Sequence, residues 1–385
     1  MTIKEIKHVS FIGAGTMGCF NSLLAGMAGY DVTLFDISEE VLQLTEIVQE
    51  IIGAGLVEQN LFTAVEVLEG RRRIRLETNA ARAVENADLL SESVPEKVEL
   101  KRSVHAQFDE LCPAHTIMTT NTSGILLSEI EDAVKRGDRF AAMHFHLNST
   151  LVDVLGGPRT TGQTIDILSR FVKSMKCYPH INRKENAGYV YNAISMGMMQ
   201  AIVQLVMKNK VSIEDVDRAW MIHSGEEIGP FGIMDLLGLN VVYDGSLSIA
   251  RYPARREQGE RMVTFLQPYM DRGESGMRTG KGLYTYPEPA YGKPGFRKPD
   301  PQDNDRFQAI INGLIIQALL LVIDEMASVE EVDRVWRLAR QADTGPFNWL
   351  DDKGTNRFLA EISNPIFEGV YPTNRLDEVI AFLKK

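Results

Sequence analysis

Three side chains in the first half of the chain have the types that acid–base chemistry on an alcohol requires. His144 ends one apolar run, Asp153 lies in the next, and Ser123 closes the segment Asn121–Ser123. Histidine titrates near neutral pH, a carboxylate orients an imidazole, and a hydroxyl holds a substrate oxygen. These residues predict a site with His144 as the general base. His146 is a rival base, because residues two apart on a strand face the same side.

Each of these residues also has a plain structural interpretation, which the sequence leaves open. In that interpretation His144 is a hydrogen-bonded histidine at a strand end, and Asp153 is an ordinary strand-end carboxylate. Ser123 is then the N-cap of a helix that starts near Gly124, because serine caps helices well.

The elements that must position these residues begin with a strand, a glycine turn and a helix. The strand His8–Ile12 is followed by the turn Gly13–Gly18 and by an apolar helical stretch. In this order the turn directs backbone N–H groups and the positive helix end at a phosphate. Gly13 permits the tight turn, Gly15 lets the backbone approach a pyrophosphate, and Gly18 lets the helix pack on the strand. The cofactor residues predicted in the turn are Gly13, Gly15, Thr16, Met17 and Gly18.

A second strand, Val32–Phe35, ends in a carboxylate at Asp36. At that place a carboxylate accepts hydrogen bonds from the adenine-ribose hydroxyls of NAD and repels the 2'-phosphate of NADP. The alternative is that Asp36 caps the helix that begins near Ser38. The complete spacing from turn to carboxylate favours NAD as the cofactor.

Further strands alternate with helical stretches, which is typical of a parallel, doubly wound sheet. Ligands of such sheets lie at the carboxyl ends of the strands, so the segments that follow the strands should share one rim. The strands are predicted at Ile74–Leu76, Leu89–Ser91, Thr116–Thr120 and Phe140–His144. The rim segments are Ser91–Glu96, Asn121–Ser123 and His144–His146.

Taken jointly, the motifs of the chain resemble the 3-hydroxyacyl-CoA dehydrogenase family, which includes relatives that act on carnitine and gulonate. The resemblance runs from the glycine turn to Tyr286. Besides that turn it rests on Glu92–Glu96, Asn121–Ser123, His144–Phe145, Leu151–Val154, Ala187–Asn192, Gly229–Phe231 with Asp235, and Thr279–Tyr286.

The resemblance implies four catalytic residues. His144 is the catalytic histidine, Asp153 stands where the family has a glutamate, and Ser123 and Asn192 contact the substrate. His144 would take the proton of the 3-hydroxyl while hydride passes to NAD, which gives reversible oxidation of a 3-hydroxyacyl-CoA to the 3-oxoacyl-CoA. For Asn192 a hydrogen bond between helices is the alternative.

The resemblance also implies that Glu96 and Lys101 lie beside the nicotinamide ribose. Charged residues at such helical spacing are otherwise solvent-exposed ion pairs, and this alternative stays open.

The chain departs from the family pattern at three places. The loop after His144–Phe145 is shorter and lacks its proline, the acidic partner is Asp153 instead of glutamate, and Ala193 replaces arginine after Asn192. Asp153 is one methylene shorter, so the shorter loop must restore its reach to His144. Two other functions remain open: the same chemistry on a free 3-hydroxy acid such as carnitine or gulonate, and a non-catalytic NAD-binding protein.

The composition narrows the class of protein further. The chain has 385 residues, 44% of them hydrophobic, and a formal net charge of -11. These values predict two or three globular domains and argue against broad nucleic-acid binding. No stretch is expected to reach the ~20 apolar residues that span a membrane. Three widely spaced cysteines fit neither disulfides nor a zinc site, so we expect no metal, a reducing compartment and a cytoplasmic location. The basic run Arg71–Arg73 is either a solvated, solvent-exposed segment at the start of a strand or, alternatively, a contact for an anion.

An internal repeat occupies the second half of the chain. Three motifs return at the same offset of 116 positions, which predicts a tandem duplication of a helical module. The fold class is therefore an α/β Rossmann-type domain over 1–183 followed by two tandem, mainly helical domains over 184–287 and 288–385. We expect either a monomer with an internal pseudo-dimer or a homodimer. The pairs are Glu214–Trp220 with Glu330–Trp336, Gly229–Phe231 with Gly345–Phe347, and Asp235 with Asp351.

Overall fold

The structure is a computed structural model, and the residues it describes are 6–209, 211–253, 255–364, 369–371 and 375–384. They form two compact units. Unit 1 comprises Met1–Tyr189 with Leu338–Ala342, and unit 2 comprises Val190–Arg337 with Asp343–Lys385. Unit 1 carries the strands, and unit 2 is helical. An α/β part followed by a helical part is the order that the sequence predicts.

Unit 1 contains one sheet, in which the described strands lie in the order β3-β2-β1-β4-β5-β6-β7-β8. The strands are β1 His8–Ile12, β2 Asp31–Phe35, β3 Ile74–Glu77, β4 Leu89–Glu92, β5 Ile117–Thr120, β6 Phe140–Phe145, β7 Leu151–Gly156 and β8 Tyr178–Ile181. The six predicted strands are confirmed, and β7 and β8 are additional. The prediction of a wholly parallel sheet is wrong in one place, because β6 and β7 pair antiparallel.

The reversal between β6 and β7 has a local cause. Asn148 takes a left-handed backbone conformation with φ 56°, which asparagine tolerates better than most residues. The Ser149 N–H donates to the His146 carbonyl at 3.2 Å, and the Ser149 hydroxyl accepts from the Leu151 N–H at 3.0 Å. This tight turn brings the chain straight back along β6.

Helices cover the sheet and are capped by short polar side chains. The hydroxyls of Ser38, Thr63 and Thr161 accept backbone N–H groups at the starts of α2, α3 and α6, as helix N-termini favour. Residues of β1 divide between two buried clusters, with Val9 and Phe11 in one and Ile12 in the other. The helices of unit 1 are α1 Thr16–Met27, α2 Glu39–Glu58, α3 Ala64–Arg72, α4 Ala80–Val84, α5 Val98–Leu111 and α6 Gly162–Ser174.

The basic run Arg71–Arg73 is engaged by surface carboxylates. Arg71 pairs with Glu46 at 3.0 Å, and Arg72 pairs with Glu69 at 2.7 Å. These contacts favour the solvated strand entrance over the anion contact.

Unit 2 is a set of helices with a buried apolar centre, in which Trp220 and Trp336 are buried. One described helix, α12, is long and apolar enough to span a membrane, which corrects the expectation from the sequence, but 72% of its apolar window is buried inside the protein. Helices α9 and α10 pass the same test only as a pair, bent by 94°. The helices are α7 Tyr191–Asn209, α8 Ile213–Ser224, α9 Pro230–Leu237, α10 Leu239–Ala250, α11 Arg256–Asp271, α12 Asp303–Ile323, α13 Val329–Arg340, α14 Pro346–Lys353, α15 Thr355–Ile362 and α16 Leu376–Leu383.

Candidate active site

The glycine turn after β1 has the geometry that a pyrophosphate requires. Gly13 has φ +98°, and a Cβ there would lie 2.9 Å from the Ser93 carbonyl oxygen. A Cβ on Gly18 would lie 1.8 Å from the Gly13 carbonyl oxygen, so α1 packs directly on the turn. A Cβ on Gly15 would meet no atom within 4 Å. Open space in front of a helix start is what an approaching phosphate needs. Thr16 and Met17 form the first turn of α1 beside this space.

Asp36 ties the glycine turn to the start of α2. Its Oδ2 accepts from the Ala14 N–H at 2.9 Å, and its Oδ1 accepts from the Ser38 N–H at 3.0 Å. The side chain that caps α2 is that of Ser38, which accepts from the Val41 N–H. The capping alternative for Asp36 is therefore wrong. A half-buried carboxylate beside an open glycine turn fits the adenine ribose of NAD.

His144 and Asp153 are direct cross-strand partners in the β6–β7 ladder. Such partners have their side chains on the same face of the sheet, so the short turn restores the reach of the shorter carboxylate. His144 Nδ1 lies 3.5 Å from Asp153 Oδ2, and His146 Nε2 lies 2.8 Å from the same oxygen. Asn182 Nδ2 donates to Asp153 Oδ1 at 2.9 Å. Asp153 therefore hydrogen-bonds to His146 and lies within ion-pair distance of His144.

The charge states of this cluster follow from its burial. Burial raises the pKa of the Asp153 carboxyl, but its contacts with His144 and His146 outweigh burial and bring the pKa below its usual range. For His144, burial and the neighbouring His146 lower the pKa more than Asp153 raises it. The resting pair is therefore a carboxylate beside a neutral imidazole.

The other nitrogen of His144 meets the predicted serine. Ser123 Oγ lies 2.8 Å from His144 Nε2. The described residues form no α-helix at Gly124, and the helical segments that follow before β6 are short 3-10 turns, the first at Leu127–Glu129. The N-cap interpretation of Ser123 is therefore wrong. With Nδ1 towards a carboxylate and Nε2 towards a hydroxyl, His144 has the orientation of a general base.

Tyr189 is a part of the site that the sequence did not indicate, although it lies within the motif Ala187–Asn192. Its ring stacks on His144 with centroids 4.9 Å apart and planes 19° apart. Its hydroxyl donates to the Thr122 carbonyl at 3.0 Å. Tyr189 therefore fixes the plane of the imidazole and joins it to the loop that carries Ser123.

Glu96 holds that loop from the other side. Its Oε1 accepts from the backbone N–H of Ser123 at 2.9 Å and of Gly124 at 2.7 Å. The same oxygen accepts from the Thr122 hydroxyl at 2.6 Å. Glu96 thus positions the serine that faces His144. Its predicted contact with the nicotinamide ribose stays a prediction.

Lys101 lies in a buried ion cluster beneath the loop, so the solvent-exposed pair is wrong. Its Nζ is 2.7 Å from Glu92 Oε1 and 3.4 Å from Glu96 Oε2. Glu92 Oε2 also accepts from the Thr120 hydroxyl at 2.7 Å and contacts His105 Nε2 at 3.2 Å. Burial raises the pKa of Glu92, but the charge of Lys101 and the contact with His105 outweigh it and lower the pKa to about 2. The contact of Lys101 with the cofactor stays a prediction. The sequence did not indicate that Glu92 organises this ion cluster.

Asn192 lies in the first turn of α7, in unit 2, and is half-buried. Ala193, which stands where the family pattern has arginine, is fully buried in the same unit. The contact of Asn192 with the substrate stays a prediction.

Comparison with known proteins covers both units. The model of the 3-hydroxyacyl-CoA dehydrogenase NAD binding domain matches residues 8–184, and that of the C-terminal domain matches residues 188–286. The human mitochondrial hydroxyacyl-coenzyme A dehydrogenase is 29% identical over 295 residues, which cover 73% of this chain and 91% of that protein. A probable 3-hydroxybutyryl-CoA dehydrogenase of Bacillus subtilis is 28% identical, over 74% of this chain and 99% of that protein.

Two solved structures extend the comparison. A diketoreductase has 30% identity and a TM-score of 0.60, covering 74% of this chain and 100% of that one. The 3-hydroxybutyryl-CoA dehydrogenase of Escherichia coli K12 has 20% identity and a TM-score of 0.76, covering 98% of this chain and 99% of that one. At that identity the second likeness concerns the fold alone, and it extends over nearly the whole chain.

Proposed function

This chain belongs to the 3-hydroxyacyl-CoA dehydrogenase family and is an NAD-dependent oxidoreductase, and we propose that it interconverts a 3-hydroxyacyl-CoA and the 3-oxoacyl-CoA with His144 as the acid and base. The observation that carries the proposal is the arrangement of Ser123 Oγ, the His144 ring and Asp153. His144 Nε2 is 2.8 Å from the hydroxyl, and Nδ1 faces the carboxylate at 3.5 Å.

In the oxidative direction, neutral His144 takes the proton of the substrate hydroxyl at Nε2. Asp153 stabilises the imidazolium that forms, and Ser123 holds the substrate oxygen by a hydrogen bond. In reduction, the same nitrogen returns the proton. NAD, when bound, supplies the hydride acceptor. Proton transfer by a positioned histidine contributes about 10²- to 10⁴-fold in rate.

The residues that would hold NAD are those of the glycine turn and the carboxylate after β2. Gly13, Gly15 and Gly18 shape the phosphate site, with Thr16 and Met17 at the start of α1. Asp36 would accept from the adenine ribose, and Glu96 and Lys101 would lie beside the nicotinamide ribose.

Initial rates test the substrate class. We expect acetoacetyl-CoA to be reduced with NADH and not with NADPH, and His144→Ala to lose that turnover. Reduction of NAD with carnitine or gulonate, without turnover of the CoA thioester, would replace this proposal by the free hydroxy acid. NADH binding without turnover of any of these compounds would favour a non-catalytic protein.

We also propose that the helical half of the chain is a tandem duplication, with domains at 184–287 and 288–385 after the NAD-binding domain at 1–183. Helices α8 and α9 recur 116 positions later as α13 and α14 with equivalent bounds. The Asp217 carboxylate accepts from the Phe231 N–H at 2.9 Å, and the equivalent Asp333 accepts from the Phe347 N–H at 2.8 Å. A helix start held by the same distant carboxylate in both copies supports a common origin.

The contact between α7 and α12 further supports this duplication, because it is reciprocal. A Cβ on Gly197 would lie 2.4 Å from the Gly313 carbonyl oxygen, and a Cβ on Gly313 would lie 2.7 Å from the Gly197 carbonyl oxygen. These glycines are also 116 positions apart. Equivalent residues that contact each other are the signature of a two-fold interface. We therefore propose an internal pseudo-dimer that makes one chain self-sufficient. Light scattering should give the mass of one chain, and an obligate dimer would refute this.

The location that we propose is cytoplasmic. Its support is that Cys19, Cys112 and Cys177 are buried, free thiols, as a reducing compartment favours.

A further inference from the structure

The β6–β7 hairpin carries a second histidine that the hydride-transfer chemistry does not require. His146 lies on the same face as His144 and shares the Asp153 carboxylate with it. We propose that His144, His146 and Asp153 form an inhibitory binding site for a divalent transition-metal ion of the Zn²⁺ type. The expectation of no metal was based on the spacing of the cysteines. That spacing gives no information about a site made of two histidines and an aspartate.

The positions of the donor atoms suit such an ion. One ligand atom from each of the three residues lies within 4.8 Å of the other two. In a tetrahedral zinc site with bonds of about 2.0–2.1 Å, neighbouring ligand atoms are about 3.3 Å apart. Asp153 Oδ2 is already 3.5 Å from His144 Nδ1 and 2.8 Å from His146 Nε2. Small side-chain rotations therefore complete three corners, and the fourth is left for water.

The chemistry of the donors selects the class of ion. Two imidazoles and one carboxylate suit Zn²⁺ and its neighbours in the first transition row, whereas Mg²⁺ and Ca²⁺ prefer sites made of oxygen atoms. All three side chains are more than nine-tenths buried. His144 Nδ1 is a buried atom without a hydrogen-bond partner among the described residues, and it faces the proposed ion position.

The ligands also have outer partners that orient them, as metal ligands in proteins do. Ser123 Oγ lies 2.8 Å from His144 Nε2, the ring nitrogen that does not face the site. Asn182 Nδ2 donates to Asp153 Oδ1 at 2.9 Å, which leaves Oδ2 for the ion. Two of the three ligands are thus held in a binding orientation before any ion arrives.

Metal binding and turnover exclude each other at His144, a consequence that rests on the proposed function. An imidazole that coordinates an ion through Nδ1 carries its proton on Nε2. It can then donate to Ser123, but it has no lone pair left to take the substrate proton. The bound ion also occupies the carboxylate that stabilises the imidazolium.

Binding is tested first, without reference to activity. The full chain, treated with a chelator and dialysed, is titrated with Co²⁺ alone and followed by its visible absorption, and then with Zn²⁺ by calorimetry. We expect one equivalent per chain with the spectrum of a four-coordinate ion, and loss of that equivalent in His146→Gln. The matched control is His8→Gln, since His8 is a half-exposed histidine 3.7 Å from the Asp31 carboxylate. It should bind as the parent does.

Two results would overturn the site: no stoichiometric uptake by the folded parent chain, or uptake that His146→Gln leaves unchanged. Circular dichroism and NADH binding verify that each variant is folded. Asp153→Asn gives a second, independent reading, because a carboxamide is a much weaker ligand, and it should also lose the equivalent.

Turnover is measured separately, each variant relative to its own metal-free rate. We expect Zn²⁺ to suppress NADH oxidation by the parent at least 10-fold, with recovery on adding a chelator, and to leave the ratio for His146→Gln near one. Stoichiometric binding with full turnover would overturn the inhibitory role. Absence of turnover before any metal is added would refute the proposed function instead, and the Co²⁺ titration would still test the site.

Discussion

Removing the Glu96 carboxylate should slow turnover by displacing Ser123, the serine that faces His144. Glu96 Oε1 accepts from the Ser123 and Gly124 N–H groups and from the Thr122 hydroxyl, at 2.6–2.9 Å. Hydrogen bonds to a charged group are worth about 1.5–3 kcal/mol each when buried. Glu96 is 29% exposed, and the three bonds act together. We therefore expect that removing Glu96 costs about 2–3 kcal/mol of transition-state stabilisation in all. This loss corresponds to about 10²-fold in rate.

Steady-state kinetics of Glu96→Ala tests this value. We expect kcat to fall about 10²-fold, as a misplacement of about 1 Å at a reacting group does. The pH midpoint of the profile should move to a lower pH, because the Glu96 charge raises the pKa of His144. Glu96→Gln should recover part of the loss, because its amide oxygen still accepts. The matched control is Glu99→Ala, an exposed carboxylate in the first turn of α5, the helix that follows Glu96. A normal kcat in Glu96→Ala, or a loss confined to NADH affinity, would refute the account of a positioned loop.

Three further outcomes follow from the cofactor half of the chain. Gly15→Ala should keep the thermal midpoint of the parent but lose NADH binding in a fluorescence titration. Gly18→Ala should unfold the domain, because its Cβ would lie 1.8 Å from the Gly13 carbonyl oxygen. Equal behaviour of the two variants would contradict this difference. Asp36→Ser should reduce the preference for NADH over NADPH by about 10-fold or more, since the carboxylate that repels the 2'-phosphate is gone, and an unchanged ratio of the two affinities would count against that role. The pKa of Glu92 is about 2 in the folded chain and about 4.3 in the unfolded chain. The stabilisation of the fold by ionised Glu92 is therefore complete above about pH 4.3 and is lost as the pH falls towards 2. Urea midpoints at pH 3 and pH 7 should differ less in Glu92→Gln than in the parent, and an equal difference would be inconsistent with the ion cluster.

The parts of the fold that could be predicted from the sequence are those that neighbouring residues in the chain determine. The glycine turn, Asp36 and the six strands rest on short-range periodicity and backbone preferences, and these agree with the structure. The strand β7 is not among the six predicted strands, although Asp153 lies in the apolar run Leu151–Val154. Its direction depends on the left-handed conformation of Asn148, which composition does not specify. The predicted helix near Gly124 is wrong, and the Gly124 and Ile125 N–H groups donate instead to Glu96, a partner that is distant in the sequence.

The site was predictable as a set of residues and less so as a set of contacts. Ser123 and His144 meet as expected, since both follow strands that end at one rim. The contact of Asp153 with His146 was not expected, because the order of distances within a hairpin depends on its turn. Lys101 resembles a surface lysine in sequence, and only the packing of α5 on β4 shows that it is buried against Glu92. Tertiary neighbours, which no local pattern encodes, decide these cases.

The proposed mechanism makes His144 the acid and base of an NAD-dependent dehydrogenase. Its most direct test is the pH profile of turnover in the parent, His144→Ala and His146→Ala, with NADH affinity measured alongside. Burial lowers the pKa of His144, so oxidation should fall only at a pH below the usual histidine value of about 6.5. His144→Ala should lose about 10²- to 10⁴-fold of the rate and the pH dependence, and still bind NADH. Turnover that survives in His144→Ala and is lost in His146→Ala would contradict the claim and make His146 the base.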